Sequence, residues 1–307
     1  MPKQHSPPAL DSRTLTILSA ASGRGARDQR CRHGPRVLRQ GGLIARLRRQ
    51  GIDAAWRGSL AAPSAETGVE ALAAVSGLCR RLARRVEARV AEGDIFAVLG
   101  GDHACAVGTW SGAARGLGGG SPLGLIWVDA HMDAHVPETS PSGTLHGMPV
   151  ACLLGHGNEA LTAIAGCRPA LRPEHICLLG VRSFEDGEAA LLERLGVRVV
   201  NMEEIGRRGL DAVMDEAAAI AAQGTAGFGI TIDLDALDPM AAPGVGSPVG
   251  HGLSADGLIS ALDGLGRRSG FIGVEIAEFN PALDRDGVTA RLVGDLLIAT
   301  IAARPPP

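Results

Sequence analysis

The stretch that decides the fold is Leu123-Gly-Leu-Ile-Trp-Val128, followed directly by Asp129-Ala-His-Met-Asp-Ala-His135. The same stretch indicates where the functional site lies. The apolar run predicts a buried strand, because a strand covered on both faces shows no alternation of polar residues. The next seven residues hold two aspartates and two histidines. Carboxylates crowded at the mouth of a sheet repel each other and resist desolvation. The stretch therefore indicates a site for a divalent cation.

Size and composition predict one large globular domain over residues 1–307, with flexible ends at 1–12 and 304–307. The chain is 45% hydrophobic with a formal net charge of −3, which gives no electrostatic reason to expect a nucleic-acid partner. No apolar run reaches the roughly 18–20 residues that a membrane-spanning helix needs. The six cysteines form no Cys-x-x-Cys pair, and the N-terminus lacks the apolar core of a signal peptide. These features predict a cytoplasmic protein with reduced thiols and no membrane partner.

Apolar runs bounded by turn residues recur along the whole chain. They predict eight strands, at 14–20, 52–57, 95–100, 123–129, 175–181, 197–201, 228–233 and 271–276. Apolar residues at helical spacing predict helices at 35–50, 66–91, 210–223, 254–267 and 287–303. Strands that alternate with helices are typical of a parallel sheet covered on both faces. We therefore expect an α/β fold with three layers, α/β/α, in a single domain.

Four of the predicted strands end in polar clusters. These clusters are Gly100-Gly-Asp-His103, Asp129–His135, Asp233-Leu-Asp-Ala-Leu-Asp-Pro239 and Glu278-Phe-Asn-Pro281. Because ligands bind outside the carboxyl ends of the strands in open parallel sheets, we expect the clusters to form one site. In an extended strand Asp129 faces the same side as His131, and Asp233 the same side as Asp235. With Asp133 and His103 they make an oxygen-rich set for two divalent ions, which favours manganese and leaves zinc, cobalt and nickel open.

Each of these motifs alone has a simpler structural interpretation. An isolated Asp-x-His is more often a surface turn or a buried pair than a set of metal ligands. Gly-Gly-Asp-His is also typical of a tight turn with a capping aspartate. Unrelated structural causes would have to coincide at four strand ends, so the combination favours metal-assisted chemistry.

With these motifs in this order, the chain resembles the ureohydrolase family of arginases and agmatinases. One further matching segment is Ser142-Gly-Thr-Leu-His-Gly-Met-Pro149, in addition to Glu278-Phe-Asn-Pro281 and the other three clusters. The resemblance covers nearly the whole chain and implies the arginase-like three-layer α/β/α fold with a mostly parallel sheet of about eight strands. It also implies a homo-oligomer, a trimer or a hexamer.

The resemblance implies a centre with two Mn²⁺ ions. The first ion would be held by His103, Asp129, Asp133 and Asp233. The second would be held by His131, Asp129, Asp233 and Asp235. Asp129 and Asp233 would bridge the two ions. A metal pair can lower the pKa of a bridging water towards neutrality, and the hydroxide would attack the guanidinium carbon of the substrate. Other divalent metals remain possible.

The same resemblance implies three catalytic residues. Glu278 would hold the guanidinium of the substrate by charge-assisted hydrogen bonds. Asp133 would accept a hydrogen bond from the bridging hydroxide and pass on its proton. His146 would carry protons to product or solvent, because a histidine titrates in the appropriate range. A simpler interpretation of His146 is a residue that begins a helix beside Gly147.

The residues that would recognise the tail of the substrate depart from the family pattern. The positions that hold an α-carboxylate in arginases are occupied here by His135, Ser142 and Thr144, and Glu185 stands where an aspartate holds the α-amino group. His135 and Thr144 replace two asparagines, yet both can donate to a carboxylate, and a glutamate can accept from an ammonium. We therefore expect L-arginine, hydrolysed to L-ornithine and urea, as the substrate. For His135, an indirect structural role is the alternative to contact with the substrate.

Other functions remain open at this point. Agmatine, guanidinobutyrate, hydroxyarginine and formimidoylglutamate are alternative substrates of related ureohydrolases. A deacetylase of the related fold would use one zinc ion with a different set of ligands. A non-catalytic subunit would be expected to lose ligands or His146, and this sequence retains all of them.

Overall fold

An eight-stranded sheet forms the centre of the molecule, and all of its neighbouring strands are parallel. The structure is a computed structural model that describes residues 14–63, 69–118, 121–166 and 169–302. The strands are β1 (Leu15–Ala21), β2 (Ala54–Ala61), β3 (Phe96–Gly100), β4 (Leu123–Val128), β5 (Ile176–Val181), β6 (Arg198–Asn201), β7 (Gly227–Asp233) and β8 (Phe271–Ala277). Their order across the sheet is β2-β1-β3-β8-β7-β4-β5-β6.

Helices connect the strands and cover the sheet. They are α1 (Gly34–Gln40), α2 (Leu43–Arg49), α3 (Val69–Ala91), α4 (Ala106–Gly116), α5 (Pro149–Leu153), α6 (Glu159–Thr162), α7 (Asp186–Leu195), α8 (Met202–Arg208), α9 (Leu210–Ala222), α10 (Ala255–Leu262) and α11 (Val288–Ile301). Short 3₁₀ turns lie at Gln29–His33, His103–Cys105, Leu145–Gly147, Ala163–Ala165, Pro173–His175, Leu234–Ala236 and Leu265–Arg267. None of the helices in the described ranges is both long and apolar enough to cross a membrane.

The two faces of the sheet build two separate hydrophobic clusters. In β4, Leu125 and Trp127 belong to the cluster that includes residues of α3 and α4. Ile126 and Val128 belong to the cluster that includes residues of α9, α10 and α11. Because side chains alternate along a strand, an all-apolar strand fills both layers at once. The three-layer α/β/α fold expected from the sequence is therefore confirmed.

All eight predicted strands are present, with ends shifted by a few residues. The predicted helix at 35–50 is wrong as a single element, because the chain turns at Gly41 and Gly42 between α1 and α2, and Gly42 has a φ of +80°. Only glycine adopts that conformation without strain. The helix predicted at 254–267 ends at Leu262, before Gly264 with a φ of +83°. The ends expected to be flexible, 1–12 and 304–307, lie outside the described residues.

The strand order brings the four predicted polar clusters together. They follow β3, β8, β7 and β4, which are consecutive neighbours in the sheet. Since all four strands are parallel, their carboxyl ends lie at the same edge. The sheet thus places these clusters, which are far apart in the sequence, around one point.

Gly124 marks a close contact between the sheet and helix α9. A Cβ atom at this position would lie 1.8 Å from the carbonyl oxygen of Ala221. We expect Gly124→Ala to lower the free energy of unfolding by about 3 kcal/mol, because β4 and α9 would have to separate. Urea denaturation followed by circular dichroism measures the change.

Gly77→Ala is the matched control. Gly77 lies inside α3, and a Cβ atom there would meet nothing within 4 Å. We expect this substitution to raise the free energy of unfolding by up to about 1 kcal/mol, because alanine favours the helix. Equal effects of the two substitutions would contradict the packing that we describe.

Candidate metal centre and active-site pocket

The first group of the site surrounds the imidazole of His103, at the carboxyl ends of β3, β4 and β7. Its Nδ1 atom lies 3.1 Å from Oδ2 of Asp233, 3.2 Å from Oδ2 of Asp129 and 3.3 Å from Oδ2 of Asp133. All four residues are buried. Asp102, just before His103, accepts a hydrogen bond from the backbone N–H of Ala104 and thereby caps the short turn that presents the histidine.

A second group adjoins the first and shares Asp129 with it. Nδ1 of His131 lies 3.4 Å from Oδ1 of Asp129 and 3.2 Å from Oδ2 of Asp235. The indole N–H of Trp127 and the backbone N–H of His131 donate to the two oxygens of Asp129 and fix its orientation. Asp233 accepts from the backbone N–H of Asp235, so both carboxylates project from one short turn.

The unsatisfied atoms of the site suit divalent cations. Nδ1 of His103 and Oδ2 of Asp133 are buried, and neither has a hydrogen-bond partner among the described residues. Buried polar atoms normally have partners, so this pair indicates a group that completes them. The two groups together supply carboxylate oxygens and imidazole nitrogens, which are suitable ligands for a metal such as manganese or zinc.

Electrostatics supports the same conclusion. Burial lowers the pKa of His103, but the nearby carboxylates of Asp129, Asp133 and Asp233 outweigh it and raise that pKa well above its ordinary value. Burial and the neighbouring Asp129 raise the pKa of Asp133 to about 7. Burial also raises the pKa of Asp233, with Asp235 and Asp129 adding to the effect. Without cations the site therefore retains protons on groups that would otherwise ionise.

Two site residues hold strained backbone conformations. Asp133 has a φ of +50° and Glu278 a φ of +67°, in the left-handed region that favours glycine. Such conformations cost on the order of 1–3 kcal/mol each and persist where the surrounding structure imposes them. At Glu278 the backbone N–H donates to the carbonyl of Gly101 over 2.7 Å, and this contact holds the turn after β8 against the turn after β3.

Glu278 links the predicted catalytic residues. Its Oε1 atom accepts hydrogen bonds from the backbone N–H of His103 at 2.8 Å and from Nδ1 of His146 at 3.0 Å. The backbone N–H of His146 donates to the carbonyl of Gly25, which fixes the short turn that carries the histidine. Burial lowers the pKa of His146, but the contact with Glu278 outweighs it and raises the pKa to about 9.

His135 lies against two glutamates. Its Nε2 atom is 2.9 Å from Oε2 of Glu185 and 3.3 Å from Oε2 of Glu188, while Nδ1 is 3.1 Å from the hydroxyl of Thr139. Glu188 was not among the residues predicted from the sequence. Its spacing from Glu185 is that of a capping box, and both hydrogen bonds of that motif are present at the start of α7. The sequence signal was therefore available, but it indicated a helix start rather than a site.

One cavity of about 500 Å³ contains the site. All predicted site residues except His103 and Asp129 line it, namely His131, Asp133, His135, Ser142, Thr144, His146, Glu185, Asp233, Asp235 and Glu278. His103 and Asp129 are buried behind these residues. At the exposed side of the cavity the hydroxyls of Ser142 and Thr144 are hydrogen-bonded to each other at 2.7 Å. The structure thus brings the predicted metal-binding and tail-binding residues to a common space.

Arg182 joins loops beside the cavity and was not among the site residues predicted from the sequence. Its guanidinium donates to the carbonyl oxygens of Asp235 at 2.7 Å, Val249 at 2.8 Å, Gly250 at 3.1 Å and Ala236 at 3.2 Å. Burial lowers the pKa of Arg182, although the nearby aspartates oppose this effect. The rigid guanidinium, with its five donors, thereby joins the turn that carries Asp235 to the loop at 249–250.

Comparison with known proteins identifies the family. Residues 13–302 match the model of the Arginase family. The chain is 39% identical over 271 residues to the arginase of Bacillus caldovelox, which covers 86% of this chain and 90% of that protein. It is 38% identical over 292 residues to the arginase of Brevibacillus brevis, which covers 93% of this chain and 97% of that protein.

The fold gives the same result. The solved structure of the arginase from Bacillus caldovelox superposes with a TM-score of 0.88 at 36% identity, covering 95% of this chain and 99% of that one. The arginase structure from Bacillus subtilis gives a TM-score of 0.88 at 33% identity, with the same coverage. The expected resemblance is confirmed, and the chain belongs to the arginase family.

Proposed function

We propose that this protein hydrolyses the guanidinium group of L-arginine, giving L-ornithine and urea, at a centre of two Mn²⁺ ions. The observation that carries the proposal is the pair of histidine–carboxylate groups that share Asp129 beside a single cavity. Membership of a family whose relatives are named arginases supports the choice of reaction.

The first ion would be held by His103, Asp129, Asp133 and Asp233, and the second by His131, Asp129, Asp233 and Asp235. The oxygen-rich donor set supports Mn²⁺ as the metal. Two such ions, when bound, lower the pKa of water and so supply hydroxide as a nucleophile at neutral pH. The contacts in the structure group Asp129 with both histidines, whereas bridging by Asp233 stays a prediction.

Glu278 would bind the guanidinium of the substrate. Within the described ranges, its two side-chain hydrogen bonds both converge on Oε1, which leaves Oε2 available for a cation in the cavity. A charge-assisted bond between a carboxylate and a guanidinium is stronger than a neutral one and fixes the orientation of the planar group. Glu278 therefore orients the substrate so that its central carbon faces the metal-binding residues.

Proton transfer would involve Asp133 and His146. Asp133 lines the cavity with a carboxylate oxygen that has no protein partner among the described residues, so it can accept a proton from the attacking water. The leaving amine needs a proton, and His146 beside Glu278 is protonated near neutral pH because its pKa is raised to about 9. His146 thus donates to the amine and is recharged from solvent, to which its side chain is partly exposed.

The far side of the cavity would bind the amino-acid tail. Glu185 is more than half exposed and carries a negative charge that suits the α-ammonium. The hydroxyls of Ser142 and Thr144 can each donate to the α-carboxylate. Nε2 of His135 is already engaged by Glu185, so His135 contacts the carboxylate only if Glu185 turns towards the substrate.

We also propose a cytoplasmic location and a trimeric or hexameric assembly. The five cysteines within the described ranges are buried free thiols, which suits a reducing compartment. The assembly rests on the resemblance to the family alone. Light scattering after size-exclusion chromatography would give the number of subunits.

A panel of substrates tests the proposed reaction. We expect the manganese-loaded protein to release urea from L-arginine with a kcat/KM at least about 100-fold above that for agmatine, which lacks the α-carboxylate, or guanidinobutyrate, which lacks the α-amino group, because a site built for polar groups rejects analogues that lack them. Hydroxyarginine keeps both groups and should be hydrolysed no faster than L-arginine. Formimidoylglutamate should release no formamide. Asp129→Asn removes the carboxylate shared by both groups and is the inactive control. Faster turnover of any other compound would refute arginine as the substrate.

Removal of metal should give the protein an unusual pH dependence. Burial and neighbouring carboxylates raise the pKa of Asp133 to about 7. Although burial alone lowers the pKa of His131, Asp129 and Asp235 raise it to about 12. Each of these two groups is protonated in the folded metal-free state, but not in the unfolded state, at pH values between its ordinary pKa and its raised pKa. In that interval the folded state therefore binds more protons than the unfolded state. Its free energy of unfolding should fall as pH rises from about 5 to about 8.

Urea denaturation at several pH values, with chelator or with saturating Mn²⁺, measures this dependence. Manganese should remove or reverse it, because metal binding requires deprotonated ligands. Asp133→Asn is the control and should flatten the curve of the chelated protein at the acidic end. A chelated wild-type protein that gains stability over the same interval would contradict the charge distribution that we describe.

Glu185→Gln tests recognition of the tail. We expect kcat/KM for L-arginine to fall by about 10- to 100-fold, because a charged partner of the α-ammonium is lost, while kcat/KM for guanidinobutyrate, which has no α-amino group, changes little. Glu138→Gln makes the same change of charge at an exposed position of the neighbouring loop and should affect neither substrate. Equal losses with both substrates would argue for a structural role of Glu185.

A further inference from the structure

Glu275 is a fully buried carboxylate for which the proposed reaction has no direct use. It lies in β8 and is 0% exposed. No arginine or histidine within the described ranges forms an ion pair with it at salt-bridge distance. Burying an unpaired carboxylate is costly, so its retention calls for a physical explanation.

Four donors surround this carboxylate. The hydroxyl of Thr109 and the thiol of Cys105 donate to Oε1 at 2.7 and 3.2 Å. The indole N–H of Trp110 and the hydroxyl of Thr231 donate to Oε2, both at 3.0 Å. An indole nitrogen can only donate, so the group opposite it must accept. This arrangement stabilises Glu275 as an anion.

The environment of Glu275 contains opposing effects. Burial raises its pKa above the ordinary value of a glutamate. The nearby His103 and the hydrogen bonds from Thr109, Cys105 and Thr231 oppose the rise. The donors therefore offset part of the cost of burying the charged form of Glu275.

Thr231 connects Glu275 to the metal centre. Its hydroxyl oxygen lies 2.9 Å from Nε2 of His103. A hydroxyl has one proton, and Thr231 donates it to Glu275, so its oxygen must accept from the N–H at Nε2 of His103. The histidine then has its free lone pair on Nδ1, the atom that faces Asp129, Asp133 and Asp233.

The plane of the imidazole is fixed as well. The ring of Trp127 stacks on His103 with a centroid distance of 4.4 Å and an interplanar angle of 23°. The hydrogen bond at Nε2 and this stacking together leave the ring one orientation. Nδ1 has no hydrogen-bond partner among the described residues, so it can bind a cation in place of a proton.

We propose that Glu275 is a positioning residue that acts through Thr231 to hold His103 in the tautomer with Nδ1 free for a metal ion. The proposal rests on the two-ion centre of the proposed function and adds a source of affinity for the ion at His103. Groups that orient a metal-bound histidine in this way typically contribute about 10- to 100-fold to metal affinity.

Manganese binding tests the proposal without any substrate. Titration with Mn²⁺, followed by electron paramagnetic resonance, reports the affinity of each ion and the spin coupling of the pair. We expect Thr231→Val to weaken one of the two ions by about 10- to 100-fold and leave the other within about threefold. Thr231→Ser keeps the hydroxyl and should restore wild-type binding of both ions.

Thr109→Val is the matched control. Thr109 donates to the same carboxylate as Thr231, yet it makes no contact with His103 that the structure records. The same substitution there removes a hydrogen bond to Glu275 and leaves the connection to the histidine intact. We expect both ions to bind within about threefold of wild type, so an effect equal to that of Thr231→Val would overturn the proposal.

A double-mutant cycle shows whether Glu275 acts through Thr231. Glu275→Gln alone should weaken binding of the same ion as Thr231→Val does. In the Thr231→Val background it should cause no further loss of affinity. Full additivity, or equal weakening of both ions, would refute the proposed route. If Glu275→Gln does not fold, wild-type affinity of Thr231→Val for both ions would refute it alone.

The outcomes separate this inference from the proposed function. A wild-type protein that binds two ions but hydrolyses none of the guanidino compounds would refute the function, and the binding data would still decide the role of Glu275. A wild-type protein that binds no divalent ion would overturn both.

Discussion

Mutual repulsion among buried carboxylates is the constraint on which the rest of this structure depends. A parallel sheet brings the carboxyl ends of β3, β8, β7 and β4 to one edge, and each of these ends carries acidic residues. In a buried position four aspartates cannot all remain charged unless positive charge is supplied. The histidines supply part of it, and the unpaired atoms Nδ1 of His103 and Oδ2 of Asp133, seen among the described residues, show where more is required.

The surrounding structure can be understood as support for this concentration of charge. Hydrogen bonds from Trp127 and backbone amides fix the carboxylates, and Arg182 joins the loop at 249–250 to the turn that carries Asp235. Preformed positions matter because ligands that are already oriented lose little entropy when an ion binds. The stable sheet therefore holds in place the carboxylates that would otherwise move apart.

Patterns that depend on local sequence were predictable, and the strands are the best example. All eight strands were predicted, because each contains a short apolar run between turn residues; six are almost wholly buried, and the edge strands β2 and β6 are partly exposed. Helix α4 was missed because Ala106 to Ala114 are all buried, and a helix that is covered on every side shows no amphipathic stripe. The break between α1 and α2 was missed because the apolar spacing continues across Gly41 and Gly42.

Within the candidate site, too, some residues could be predicted from local sequence and others could not. The candidate metal-binding residues stand in compact motifs at strand ends, so their grouping could be inferred from the amino-acid sequence alone. Thr231, Glu275 and Arg182 carry no such signal, because their roles arise from contacts between strands and loops distant in the sequence. For His135 the sequence identified the residue but not the direction of its nitrogens, which depends on the fold of α7.

The left-handed backbone conformations of Asp133 and Glu278 create a conflict between the proposed activity and thermal stability. At both positions glycine would adopt the observed φ without strain and would relieve a local cost of the folded chain. A directed-evolution campaign selecting only for survival at high temperature would therefore tend to enrich glycine there and discard two side chains that the proposed reaction requires. Consensus or thermostabilisation libraries for this protein should keep these two codons fixed.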